Sequence, residues 1–285
     1  VRPALILLPL ACVAGPLAAQ TARRAGPPLA AGARPAEERN SLTIGLGAAV
    51  TPSYTGSNDY QLNPGGIIRG RVAGFNFVTL GLNLYVDALR DNGGRTDVQA
   101  GPVVGLNLNR VNRIQDARVK ALGELDAAVE VGGYVGIAQS GIITSPYDVL
   151  NVSLAYQRDV TDVHDSWRMT PQVSYGTPLS ETLFVNLSAS ATIVGDGYAR
   201  TYFGVTPAGA TASGLPAYDL DGGIQDVGAN LLIGKSLSGD LRHGWALFGI
   251  AGYSRLLGDF QRSPIVKIAG DRNQLFGAVG LAYTF

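Results

Sequence analysis

Cysteine is almost missing: Cys12 stands alone in 285 residues, so no disulfide can form within the chain. Histidine is nearly as scarce. Two histidines with no second thiol argue against a structural zinc site. Charged residues make up only 15%, well under the share of about 25% in an average soluble domain. The 22 basic and 22 acidic side chains cancel, which leaves no electrostatic footprint for nucleic acid. Beyond the first twenty residues no apolar run approaches about 18 residues, so no helical membrane span is expected there. No Walker-type phosphate loop and no Gly-x-Ser-x-Gly nucleophile elbow occur. Gly45-Leu46-Gly47 and Gly65-Gly66 have no helix after them, so neither is a dinucleotide fingerprint. No cofactor is expected.

Glycine, by contrast, is abundant: 38 residues, near twice the usual share of about 7%. The glycines keep no period of three, which excludes collagen. A hydrophobic content of 46% excludes a disordered chain. Low charge, high glycine and no long helical signal together point to an all-β architecture.

Residues 1–20 read as a secretory signal. Arg2 precedes an apolar stretch from Ala4 to Leu10, and Ala18-Ala19-Gln20 offers small residues for cleavage. Pro9, Gly15 and Pro16 interrupt the stretch and weigh against a transmembrane anchor. Pro9-Leu10-Ala11 is a poor lipobox for Cys12. Residues 21–40, with Pro27, Pro28 and Pro35, read as a flexible lead-in.

From residue 41 to 285 the chain alternates with the period of a two-faced strand. At the C-terminus Leu275, Gly277, Val279, Leu281, Tyr283 and Phe285 share one face, against Phe276, Ala278, Gly280, Ala282 and Thr284. Leu183–Ile193 and Leu42–Val50 alternate in the same way, and so does Phe77–Asp87, taken as one strand. Val98–Leu108 also alternates, and Pro102 implies a bulge there. Further candidates lie near 62–73, 124–138, 147–159, 166–177, 224–236 and 243–256. In the last, Trp245 with Leu247 competes with Phe248 and Ile250 for the outer face. Eleven candidates and the even strand count of closed bacterial barrels leave ten or twelve strands.

The polar faces carry Gly, Ser, Thr, Asn and Ala rather than Lys or Glu, while charges gather in connections such as Arg90–Arg95, Arg158–Asp165 and Asp240–His243. That pattern fits a transmembrane antiparallel β-barrel of the outer-membrane type better than a soluble sandwich. Tyr156, Trp167, Tyr175, Tyr283 and Phe285 sit near strand ends, where aromatic girdles form. Glycine and alanine inside would leave the lumen unfilled, and the Gly/Pro-rich segment 196–223 is a candidate occupant.

Six charges are expected to face the lumen: Arg69, Arg71, Asp87, Glu130, Arg168 and Asp226. Paired, they brace the wall; unpaired, they set ion preference in a channel. Asp162-Val163-His164-Asp165-Ser166 could supply a base and a nucleophile to a barrel hydrolase, against the plainer reading of a polar rim loop.

Several stretches stand out in order: Pro52-Ser53-Tyr54-Thr55-Gly56-Ser57; Thr201-Tyr202-Phe203-Gly204-Val205; Ala212-Ser213-Gly214-Leu215-Pro216-Ala217-Tyr218; Ser263-Pro264-Ile265-Val266; and the closing Gly280–Phe285. Together they resemble the MipA/OmpV family of Gram-negative outer-membrane proteins that interact with the lytic transglycosylase MltA. The resemblance spans roughly residues 41 to 285. It implies a barrel in the outer-membrane lipid with no enzymatic activity, which joins a lytic transglycosylase to a peptidoglycan synthase. Tyr283 and Phe285 resemble the C-terminal signal read by the barrel-insertion machinery. A small-solute channel is the alternative, and an outer-membrane hydrolase a weaker one. Physically, Gly56 and Gly204 would suit positive φ, and Pro52 and Pro264 would end strand pairing at a rim. Tyr54, Tyr202, Phe203 and Tyr218 would pin loops across the mouth, as structural or partner contacts.

Overall fold

The structure is a computed structural model that describes residues 40–90 and 94–285. The signal and nearly all of the lead-in lie outside them. Twelve strands close into one antiparallel barrel: β1 (Ser41–Pro52), β2 (Tyr60–Val72), β3 (Phe75–Leu80), β4 (Asn83–Val86), β5 (Thr96–Asn107), β6 (Ala128–Ser140), β7 (Val149–Asp159), β8 (Trp167–Ser180), β9 (Leu183–Val194), β10 (Gly223–Ser236), β11 (Gly244–Leu256) and β12 (Asn273–Thr284). Each strand pairs with its sequence neighbours, and β12 closes on β1 from Thr43–Thr284 to Val50–Gly277.

Closure follows from the solvent. In hydrocarbon an unpaired amide has no water to bond, so the sheet cannot keep an edge. The outer face is apolar and open: Leu46, Leu62 and Val279 are 73%, 67% and 65% exposed. Charges on that face sit at strand ends, as with Arg158, Lys235 and Arg255. Tyr156 stacks on Trp167 at 6.1 Å near one end, while Trp245, Tyr283 and Phe285 pack in series near the other, 5.1 and 4.8 Å apart. These are the two aromatic belts that flank a membrane-embedded band.

Twelve strands rather than eleven arise because Phe77–Asp87 is a hairpin. A turn at Gly81 (φ +58°) and Leu82 separates β3 from β4. The alternation runs on through the two-residue turn, so the pattern conceals it. The turn also flips the faces: Val78 and Leu80 point inward, as do Asn83 and Tyr85. Pro102 makes no bulge. β5 keeps an unbroken register with β6 from Thr96 to Asn107, and the observed shifts fall at Ile224/Asp226 and Pro178/Ser180. On β11, Trp245 and Leu247 face out while Phe248 and Ile250 face in, because Asp226 and Asn230 pair with Leu256 and Gly252.

The two ends differ. At one, the turn end, lie both strand termini of the barrel, the connections 73–74, 141–148, 181–182 and 237–243, and the described residues 87–90 and 94–95. At the other lie 53–59, 108–127, 160–166, 195–222 and 257–272. These carry α1 (Ala117–Ala121), α2 (Asp196–Phe203), α3 (Pro207–Ser213), α4 (Gly258–Arg262) and α5 (Pro264–Lys267). The 195–222 connection packs against strand ends and neighbouring loops, so it closes the mouth rather than filling the barrel's length.

Glycine serves close approach inside. A Cβ on Gly280 would collide with the Phe248 ring and the Leu46 carbonyl, so Phe248 can lie across the β1–β12 seam only over bare backbone. Gly280→Val is expected to lower barrel stability by about 1–3 kcal/mol through overpacking, read as a fall in the heating midpoint at which the folded band converts on a gel.

Candidate functional site

Five connections far apart in sequence meet over one mouth. Tyr54 in the 53–59 turn is fully buried and its hydroxyl donates to the carbonyls of Ile265 (3.2 Å) and Ala269 (2.8 Å). Gly56, with φ +102°, donates its N–H to Gln274 Oε1 and accepts from Asp271 N. Ser57 bridges to Gly270, and its hydroxyl pairs with that of Ser53. Pro52 ends β1 opposite Tyr60.

Two apolar clusters seal the lid. One holds Tyr198, Ala199, Tyr202 and Phe203 of α2 against Val194, Leu220, Leu256, Phe260 and Val266. The other joins Tyr54, Ile114 and Val119 to Val205, Leu215, Ile265 and Ala269, and Tyr218 packs against both. Each fully buried large side chain contributes roughly 1.5–3 kcal/mol, so the lid is a packed core and not a set of loose loops. Polar ties fix it further. Ser263 donates to the Phe203 carbonyl (2.6 Å), Tyr218 to the Asp259 carbonyl (2.9 Å), and Val205 bridges to Tyr218. Ser213 caps its own helix end by donating to Gly209 and accepting from Leu215 N, and Gly214 ends α3 at φ +72°.

Two expectations change. Gly204 has φ −73°; glycine is required there because a Cβ would strike the Arg200 carbonyl. Pro264 ends no strand. It opens α5, where its missing N–H costs nothing at the first helical position.

Beneath the lid lies a buried polar layer. Arg168 Nη2 meets Glu130 Oε2 at 2.6 Å, both side chains under 5% exposed. Asn107 donates to Glu130, and Arg168 donates to Gln157, which in turn reaches Asn83. Gly105 lacks the Cβ that would collide with Asn83. His164 is buried with Nε2 3.4 Å from Glu130 Oε1 and 3.9 Å from Asp159, its ring against Tyr198 and Tyr202. It therefore joins the wall to α2. No hydrogen bond links His164 to Ser166, so the pair lacks the contact a nucleophile and its base need. Among the described residues no three His, Cys, Asp or Glu side chains converge as metal ligands would.

Glu130, Arg168 and Asp226 are buried on β6, β8 and β10, Arg69 and Arg71 take alternate, half-buried positions of β2, and Asp87 is buried just past β4. Asp87 accepts from Leu89 N and Ala100 N, and Asp226 from Thr192 and Gln225. These two, with Glu130 and Arg168, brace the wall. Arg69 stands opposite Thr43 and Val78, with Arg71 two residues on, toward the turn end.

Residues 44–285 match the family model for MltA-interacting protein MipA. The chain belongs to the MipA family. The match contains every lid residue just named. No curated protein matches the chain. Among solved structures, the chain is similar to the COG4313 outer membrane channel from Pseudomonas putida F1, with 11% identity, 92% of this chain and 100% of that one covered, and a TM-score of 0.45. The toluene transporter TodX of Pseudomonas putida is 9% identical, with 87% and 89% covered and a TM-score of 0.36. For the anion-selective porin from Comamonas acidovorans the values are 10%, 87%, 99% and 0.34. The barrel of this MipA-family chain has one mouth folded shut.

Burial, with the Asp116 carboxylate nearby, pushes the Tyr54 hydroxyl well above the usual tyrosine range. A group whose folded value is raised holds its stabilisation up to its free value and loses it as pH climbs through the folded one. The lid should thus loosen only above about pH 10, seen as new protease cuts within 195–272. Tyr54→Phe should lose about 1–3 kcal/mol of lid stability and abolish that alkaline step. Arg168→Met leaves Glu130 buried without its partner and should cost about 3–5 kcal/mol. Adding Glu130→Gln should restore part of it, as a double-mutant cycle would show.

Proposed function

We propose that this MipA-family barrel is non-enzymatic and works through its surfaces, holding a lytic transglycosylase and a peptidoglycan synthase together at its turn end. The observation that carries this reading is the lid: a mouth closed by two apolar clusters suits a platform better than an open pore. In barrels of this class the long loops face outward and the short turns face the periplasm. That orientation sets the lid outside and the turn end toward the cell wall. The family's own description, a protein that interacts with MltA, fits the same side.

The turn end offers one stiff apolar projection. The Asp148 carboxylate accepts the backbone N–H groups of Ile142 (2.8 Å), Ile143 (2.9 Å), Thr144 and Ser145, and the Tyr175 hydroxyl (2.8 Å). Burial works to raise this carboxyl, but the backbone donors of Thr144 and Ile142 outweigh it and hold it well below the usual carboxylate range. The turn it organises leaves Ile142, Ile143 and Tyr147 exposed. A rigid apolar contact loses little entropy when a partner binds.

Capture of both cell-wall enzymes from a native envelope extract is the test, with Ile143→Asp expected to weaken it about tenfold or more, the range of an interface anchor. Failure to capture either enzyme sinks the scaffold reading. A second reading, a small-solute channel, draws on Arg69 and Arg71 in the lumen. Planar bilayers decide it: the scaffold reading expects no discrete openings, whereas salt-dependent steps from the intact protein favour the channel.

A further inference from the structure

The barrel wall carries a notch. β2 pairs with β1 along its length, from Pro52–Tyr60 to Ser41–Arg71, but with β3 only from Arg69 to Val72. The Thr79 hydroxyl adds bonds to the N–H and carbonyl of Ile68, and there the hairpin turns back. Among the described residues, Tyr60–Ile67 therefore have a strand partner on one side only. At about 3.3 Å per residue, that is roughly 25 Å of bare edge. On the far side of the hairpin, Leu106 N still reaches the Leu82 carbonyl, so β5 ends where the hairpin tip does. Beyond the tip only β2 continues, its unpaired edge running on toward the lid.

This edge lies at the depth of lipid. Leu62 on its outer face is 67% exposed, and Ile68, Leu84 and Leu106 flank it outward. Open edges do not occur against hydrocarbon unless protein covers them or they line a cavity. What covers this one is the 108–116 segment. It is tied to β2 by two side-chain bonds, Arg113 Nη1 to Asn63 Oδ1 (3.3 Å) and Gln115 Nε2 to the Tyr60 carbonyl (3.2 Å). Arg110 and Arg113 in this segment hold φ +61° and +57°, left-handed values unusual for side chains of their size. Gln61 Nε2 on β2 and Asn112 Oδ1 in the segment are buried without a hydrogen bond, as are Asn109 Nδ2 and Arg110 Nε, whose residues otherwise bond Thr55, Thr201 and Gly123 in the lid. Pro64 fits an edge of this kind, since proline within a strand is confined to unpaired sides.

We propose that this notch is a lateral portal between the outer leaflet and the lumen, with residues 108–116 as its door and a membrane amphiphile as its occupant. The apolar flank takes the acyl chain, and the Gln61 amide nitrogen and Asn112 amide oxygen, which have no hydrogen bond, take the polar head. The inference does not depend on whether the turn end binds cell-wall enzymes. It goes beyond that reading, because a closed mouth does not block a side entrance.

Gly65 faces the lumen beside the notch, opposite Gly47, and a Cβ there meets nothing within 4 Å. A photoreactive p-benzoylphenylalanine is placed at Gly65 in the full-length protein, reconstituted in phosphatidylethanolamine–phosphatidylglycerol vesicles. Ser190, on the lumen face of β9 and paired on both sides with Gln172 and Gly228, is the negative control. Gly277, on the lipid face, is the positive control. Mass spectrometry after illumination should find phospholipid adducts at Gly65 and Gly277 but not at Ser190. Arg113→Ala, which removes one tie of the door, should raise the Gly65 yield about two- to tenfold, the factor one hydrogen bond is worth. Should the Gly65 variant fail to show heat-modifiable migration, the probe moves to Gln61. A Gly65 yield no greater than that at Ser190, or one indifferent to Arg113→Ala, overturns the portal.

Discussion

A peptide group in hydrocarbon has nothing to bond but another peptide group. The structure follows from that constraint. It obliges twelve strands to close β12 on β1, confines charge to strand ends, and turns an ordinary alternation of apolar and small polar residues into an outer and an inner wall. Inside, the demand is different. Glu130 and Arg168 are acceptable in a buried interior because each neutralises the other, and the amides of Asn83, Asn107 and Gln157 add further hydrogen bonds.

The lid repeats the logic of a soluble core at the end of a membrane cylinder. Its helices run four to eight residues, too short to be stable alone. They stand because Tyr198, Tyr202 and Phe203 pack in one buried cluster and Tyr54 and Ile265 in the other. His164 reaches up from the wall into the same tyrosines, so lid and barrel share a boundary rather than merely touching.

What could be read from residues alone was whatever depends on the period of two. The faces of β9 and β12, the lumen charges and the aromatic belts all came from that period. The β3–β4 hairpin escaped because the alternation passes through its turn at Gly81-Leu82 without a break. The notch escaped with it, since a gap in a wall is a property of register and not of any one segment. The helices of the lid carry too few residues to show a 3.6 period. The residues that build the lid were visible through their resemblance to a family, while their convergence was not. Local patterns do not report a bond from Tyr54 to Ala269. The pairing of Glu130 with Arg168 was open in the same way: each polar position signalled the interior, and the partner lay 38 residues further along the chain.

That long reach bears on assembly. The Tyr54 hydroxyl bonds carbonyls 211 and 215 residues downstream, and Gly56 waits for Gln274 on the last strand. Contacts of such separation form late, after shorter loops have closed. The first turn of the barrel therefore has no seat until its final strand is in place. A sealed mouth is a certificate of completion: a nascent or clipped chain leaves Tyr54 uncovered, and the finished cylinder carries a stopper fitted by its own last act of folding.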